Sequence, residues 1–153
     1  KVMSLRERFT QEMKDAMKGG DKARLAAIRM IQAALKDRDI EARGAGKEVS
    51  EEDILALLQK MVKSRQESLA MYEQAGREDL AAQERGEIAV IQTFLPVQMS
   101  DDEVKAAIAA AIAETGAASM KDMGKVVGAL KAKFTGQMDF AKASALVKAA
   151  LNG

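Results

Sequence analysis

The sequence predicts an all-α protein, and three features of the chain support this fold class. Apolar residues recur at the three- and four-residue spacing of amphipathic helices, and no stretch alternates apolar and polar residues as a strand does. Pro96 is the only proline, so long segments are free to be helical. Serine and aspartate residues stand where they can cap helix N-termini. Together these features indicate two helical bundles, an N-terminal bundle of four helices and a C-terminal bundle of three.

Capping signals divide the first part of the chain into four helices. Ser4 and Glu7 form a Ser-x-x-Glu capping box, while Asp21 and Ser50 are expected to cap the next two helices. Glycines follow the periodic segments and are typical helix terminators. The four helices are therefore expected at residues 4–20, 21–43, 50–76 and 77–93.

The segment Phe94-Leu95-Pro96 is the strongest break in the chain. Proline cannot continue a helix and disfavours a helical conformation at the residue before it. Three further helix N-terminus signals follow Pro96: Ser100 with Glu103, Ser119 with Asp122, and Asp139. We therefore predict two domains, with the N-terminal bundle at residues 3–95 and the C-terminal bundle at residues 96–153.

The composition excludes several kinds of chemistry. The chain has no cysteine and no histidine, so it contains no disulfide, no cysteine nucleophile, no histidine base and no zinc site built on those residues. No phosphate-binding glycine loop or dinucleotide fingerprint is present. No apolar run approaches 18 residues. We expect a cytoplasmic protein with no cofactor, no metal site, no small-molecule substrate and no membrane contact.

The segment Ser119–Phe134 has two contrasting helix faces. The apolar face is predicted to be core and carries Met123, Val126, Val127, Leu130 and Phe134. The opposite face carries Lys121, Gly124, Lys125, Gly128 and Ala132, with Lys131 beside it. Glycine within a helix costs about 1 kcal/mol relative to alanine, so two glycines four residues apart require an explanation.

Two explanations of this glycine and lysine face stay open from the sequence. The glycines can allow close packing against the fifth or seventh helix. Alternatively, they can leave backbone bare for an external partner, with Lys121 and Lys125 neutralising phosphates. A second basic group near the first two helices either extends a nucleic-acid footprint or is ordinary surface, and it contains Arg6, Arg8, Lys14, Lys18, Lys22 and Arg24.

Glu84 and Glu87 are the strongest candidates for acid–base chemistry, because both lie on a largely apolar stripe of the fourth helix. The alternative is a structural ion-pair network with arginines that reach inward, for which the candidates are Arg29, Arg65 and Arg77. Losing one partner of a buried ion pair costs about 3–5 kcal/mol. The structural hypothesis therefore predicts that Glu84→Gln lowers thermal stability, and it assigns no catalytic residue.

Four segments of the chain resemble the YqeY family and the tail domain of the GatB component of aspartyl/glutamyl-tRNA amidotransferase. They are AMKGGDKARLAAIRMI, YEQAGREDLAAQERGEIAVIQTFLP, DMGKVVGAL and FTGQMD. The resemblance implies a tRNA contact, and a carbon–nitrogen ligase association in which glutamine is the amido donor. The ATP-dependent catalytic domain of that enzyme has no counterpart in this chain.

The sequence thus predicts a non-catalytic module that binds tRNA and assists an amidotransferase or an aminoacyl-tRNA synthetase. The residues expected to make the contact are Lys121, Gly124, Lys125, Gly128 and Lys131. The alternative function is a protein–protein adaptor that uses the same face. The scarcity of aromatic residues argues against a base-stacking platform in either case.

Overall fold

The computed structural model describes residues 2–152 and confirms the all-α fold class. Within these residues there are seven α-helices, one short 3₁₀ turn and no strand. The helices are α1 (Leu5–Gly19), α2 (Lys22–Gly44), α3 (Glu51–Gln74), α4 (Glu78–Gln92), α5 (Asp101–Thr115), α6 (Met123–Phe134) and α7 (Phe140–Asn152). The chain forms two compact units, one ending at Leu95 and the other beginning at Pro96.

Three helices begin with capping boxes, of which those at Ser4 and Ser100 are expected from the sequence, whereas Ser50 is expected to cap α3 without a named partner. The serine hydroxyl in each accepts the backbone N–H three residues on, and the acidic side chain at that position accepts the serine N–H. The pairs are Ser4 with Glu7, Ser50 with Asp53, and Ser100 with Glu103. Glycines at φ 69° and φ 67°, Gly20 and Gly116, end α1 and α5 in the left-handed conformation that glycine favours. Local hydrogen bonding therefore sets these boundaries.

The core of the first unit combines apolar side chains from α1 to α4. Helix α4 packs against α3 and α2, and α1 packs against α2. Phe9 of α1 and Phe94, just after α4, meet edge to face with ring centroids 4.9 Å apart. Both rings are buried. This aromatic pair joins the start of the unit to its end.

The second unit has a smaller core between α5, α6 and α7. Helix α6 packs against both neighbours through Val126 and Leu130, which are 0% and 1% exposed. Met123, Val127 and Phe134 pack against the same cluster. The apolar face of α6 is therefore the core face that the sequence predicts.

The start of α6 differs from the sequence prediction. Residues Met120–Asp122 form a 3₁₀ turn, in which Asp122 N–H donates to the Ser119 carbonyl at 3.0 Å, and the α-helix begins at Met123. The Asp122 carboxylate accepts the N–H groups of Ala118 and Ser119 at 2.9 and 3.4 Å. These bonds hold the chain in a tighter turn before the α-helix.

Across the described part of the chain, every helix is too short or too polar to cross a bilayer.

Candidate contact surface on α6

The glycine and lysine face of α6 is open to solvent. Lys121, Gly124, Lys125, Gly128 and Lys131 are all exposed, and the opposite side of the helix is buried. The 3₁₀ turn presents Lys121, and α6 presents the other four residues. We call these five residues the α6 face.

Both glycines of the α6 face have empty space where a side chain would begin. A Cβ atom built on Gly124 or Gly128 meets no atom within 4 Å, and neither residue has a positive φ. Close packing against α5 or α7 therefore does not explain the glycines. The geometry therefore excludes the packing explanation that the sequence left open.

The charges on the α6 face are positive and unpaired. Lys121, Lys125 and Lys131 take part in none of the ion pairs found within residues 2–152. The nearest acid in sequence is Asp122, whose pKa is lowered because its carboxylate accepts the N–H groups of Ala118 and Ser119, with Lys125 contributing. Asp122 therefore bonds within the turn, and its carboxylate interacts with Lys125 electrostatically without forming an ion pair among the described residues.

The two candidate acids of α4 lie beside Arg65 of α3 but are not equivalent. Arg65 Nε donates to Glu87 Oε2 at 3.1 Å, and the two side chains are 20% and 22% exposed. Glu84 Oε2 is buried and has no hydrogen-bond partner among the described residues. Burial raises the pKa of Glu84, the Glu87 carboxylate raises it further, and Arg65 opposes the shift. Only Glu87 is held by an ion pair.

The other two arginines expected in this network lie elsewhere. Arg77 precedes α4 and pairs with Asp79 at 3.2 Å on the surface. Arg29 is exposed on α2 and forms none of the ion pairs seen in the described part of the chain. The structure therefore brings together Arg65, Glu84 and Glu87 only. Residues 2–152 contain no cluster of three acids that could hold a metal ion.

Arg8 and Arg24 belong to the basic group predicted near the first two helices, and the structure adds the Phe94 ring, which sequence reasoning did not include. The guanidinium groups of Arg8 and Arg24 lie 5.0 and 6.0 Å from the centre of the Phe94 ring, and both bond the carboxylate of Glu12. The four-residue spacing of Arg8 and Glu12 is visible in the sequence. The approach of Arg24 and Phe94 depends on the fold.

With the fold and these surfaces described, the class of protein can be assigned. The family model described as Yqey-like protein matches residues 6–151. The chain belongs to the YqeY family, as the four sequence segments indicate.

Similar proteins in fungi share the name altered inheritance of mitochondria protein 41, mitochondrial. The protein of Kluyveromyces lactis is 32% identical over 101 residues, which cover 64% of this chain and 53% of that protein. The protein of Pyrenophora tritici-repentis is 33% identical over 88 residues, covering 57% and 46% respectively. The protein of Vanderwaltozyma polyspora is 29% identical over 85 residues, covering 56% and 45%. This chain spans about half the length of these curated relatives.

The names of these relatives contradict the cytoplasmic location expected from the sequence. All three are named as mitochondrial proteins. The expectation rested on the absence of cysteine and of a long apolar run, and such absences are weak evidence for a compartment.

Proposed function

We propose that this protein is an accessory RNA-binding module that holds tRNA through the α6 face. The observation that carries the proposal is a strip of exposed backbone at Gly124 and Gly128, with free lysine charges on both sides. Among residues 2–152, no atom lies within 4 Å of a Cβ position at either glycine. The resemblance of the DMGKVVGAL segment to the tail of an amidotransferase component supports tRNA as the ligand.

The chemistry of the α6 face suits phosphates better than bases. Lysine ammonium groups are point charges that bind phosphate oxygens without reading sequence, and bare glycine backbone lets a sugar–phosphate chain approach closely. Base stacking needs exposed aromatic rings. Phe9 and Phe94 are buried in the first unit, and the rings of Phe134 and Phe140 pack against the core of the second. The module would therefore recognise the shape and backbone of an RNA.

In this proposal the chain performs no chemistry of its own. The side chains nearest to a catalytic arrangement are Glu84 and Glu87, and Arg65 bonds Glu87. The amide-forming reaction, with glutamine as nitrogen donor, would belong to a partner amidotransferase, and a synthetase is the other candidate partner. The relatives' names support a mitochondrial setting for that role.

Salt dependence of tRNA binding tests this function. Binding of the full chain to total tRNA should weaken with salt, because each phosphate contact releases counterions. Replacing both Lys121 and Lys125 with alanine should lower the slope of log affinity against log salt by about 2, about 1 for each contact. The matched control replaces Lys105 and Lys148, two exposed lysines of α5 and α7. Equal slopes for parent and Lys121/Lys125 variant would refute the proposal.

A protein–protein adaptor is the second candidate, and the open glycines also favour it. With no Cβ at Gly124 and Gly128, a partner helix can approach the α6 backbone closely. Close packing of a partner helix on the glycine backbone should depend on salt less steeply than RNA binding, because only RNA binding releases the counterions of phosphates. Partner capture that survives high salt, together with absent tRNA binding, would favour the adaptor.

A further inference from the structure

A second basic site lies on the first unit. Unlike the α6 face, it contains an aromatic ring, that of Phe94. Arg8 of α1 and Arg24 of α2 lie over Phe94, which is itself buried. Glu12 lies between them: its Oε2 accepts from Arg8 at 3.4 Å, and its Oε1 accepts from Arg24. Arg8 also donates to the Thr93 carbonyl at 3.1 Å. We call Arg8, Glu12 and Arg24 the arginine pair site.

The charges of the arginine pair site do not cancel. Two guanidinium groups share one carboxylate, so the site keeps one positive charge while its three side chains are only 35%, 26% and 28% exposed. A structural ion pair would need only one arginine for Glu12. The second arginine brings two like charges together at a half-buried position, and Glu12 and the Phe94 ring offset this repulsion only in part, so a second anion would be favourable there.

The unused hydrogen-bond donors point to the kind of anion. Arg8 and Arg24 make their bonds through Nη2, and within residues 2–152 their Nε and Nη1 groups donate to no protein atom. Arginine presents such donors as a planar fork that matches the oxygens of a phosphate. The ring and Glu12 also hold both side chains in place, so little entropy remains to be lost on binding.

The start of α2 adds to the positive field at this site. Arg24 lies in the first turn of α2, which also carries Lys22 and contains no acidic residue. The N-terminal end of a helix has a partial positive charge, and the Asp21 carboxylate, which accepts the Arg24 N–H at 3.1 Å, offsets part of it.

We propose that Arg8 and Arg24 bind a backbone phosphate of an RNA. This inference rests on the proposed function and extends it to the first unit. The neutralising role of Glu12 then sets the strength of the contact, because it offsets one of the two arginine charges.

The test measures the affinity of the full chain for total tRNA at several salt concentrations. It compares two variants that are expected to change this affinity in opposite directions. Arg24→Gln should lower the slope of log affinity against log salt by about 1. Glu12→Gln should tighten binding about threefold, the effect of one unit charge about 6 Å away in water. Arg6→Gln is the matched control, because Arg6 also lies on α1 and pairs with Asp39 on the surface. It should leave the slope unchanged.

A purely structural arginine pair predicts a different pattern. Both variants would then lower the unfolding temperature and leave the salt slope equal to that of Arg6→Gln, and this result would overturn the inference. If Arg24→Gln fails to fold, the Glu12→Gln variant still tests the inference. A tRNA affinity of this variant that is equal to or weaker than that of the parent would contradict the arginine pair site. If replacing Lys121 and Lys125 lowers the slope of log affinity against log salt while Arg24→Gln does not, the arginine pair site is refuted and the proposed function of the α6 face still stands. If the parent shows no salt-dependent tRNA binding, the proposed function fails with it.

Discussion

An alanine at position 128 tests the open side of α6 most simply. Gly128 lies in the middle of α6, its backbone suits any L-residue, and the added methyl group meets no atom within 4 Å. Relieving the glycine cost in a helix is worth roughly 0.5–1 kcal/mol. For a chain of this length that corresponds to a rise in the unfolding temperature of up to about 4 °C.

The same methyl group should weaken binding, because it stands where the RNA backbone is proposed to approach. We expect Gly128→Ala to raise the unfolding temperature and lower tRNA affinity, with an unchanged salt slope since Lys121 and Lys125 remain. Thermal unfolding and tRNA titration measure the two effects separately.

Gly86→Ala is the matched control for this substitution. Gly86 is an exposed glycine of α4 that also has open space at its Cβ position, and it lies in the other unit. It should give a similar gain in stability with unchanged tRNA binding. A Gly128→Ala variant that is less stable than the parent would reveal a packing contact and refute the open face. A more stable variant with unchanged affinity would refute the role of Gly128 in binding.

The remaining predictions concern stability. Glu87→Gln should cost up to about 1.5–3 kcal/mol in urea unfolding, the value of a hydrogen bond to a charged group, because it removes the negative charge opposite Arg65 even though the glutamine carbonyl can still accept from Arg65. Glu84→Gln should cost nothing near neutral pH, since it replaces a half-buried carboxylate whose Oε2 is buried and has no hydrogen-bond partner among the described residues, and a cost as large as that of Glu87→Gln would contradict the structure. Folding raises the pKa of Glu84, so its contribution to stability is full below the ordinary glutamate pKa and is lost as the pH rises through the native pKa. The stability of Glu84→Gln relative to the parent should therefore increase with pH, and a flat pH profile would count against the raised pKa. Ser100→Ala should cost about 1 kcal/mol through the lost cap of α5, and thermal unfolding without a measurable shift would show that the Ser100–Glu103 box is dispensable.

Helix boundaries in this chain were predictable because their signals are local. Ser50 and Ser100 bond atoms three residues away, so the sequence contains both partners of each cap. The 3₁₀ turn before α6 was not predicted, because it depends on which of the nearby N–H groups Asp122 binds. The assignment of the two units as independent bundles of four and three helices stays a prediction.

Contacts between helices were less predictable than caps. Periodicity places Glu84, Glu87 and Arg65 on the inward faces of their helices, and the structure brings the three side chains together. The spacing of residues gives no distances, so it could not show that Glu84 lacks an ion pair. The same reasoning expected Arg29 and Arg77 in this network, and the fold places both elsewhere.

The exposed side of α6 was predicted from the sequence, but its openness was not. Helical spacing alone puts Gly124 and Gly128 opposite the core face. Whether a neighbouring helix covers them depends on the packing of α5 and α7, and only the structure shows that space to be empty. The proposed contact surface therefore rests on the helical spacing in the sequence and on the open space seen in the structure.

The most direct test of the RNA contact is an amide spectrum of the full chain with isotopically labelled glycine, recorded during addition of small amounts of total tRNA. Gly124 and Gly128 report on the α6 face, while Gly44 and Gly86 report on exposed helix positions of the first unit. We predict that the signals of Gly124 and Gly128 shift or weaken first and recover at high salt. Signals from these two glycines that stay unchanged while tRNA is bound, or that change no more than those of Gly44 and Gly86, would contradict the proposed contact.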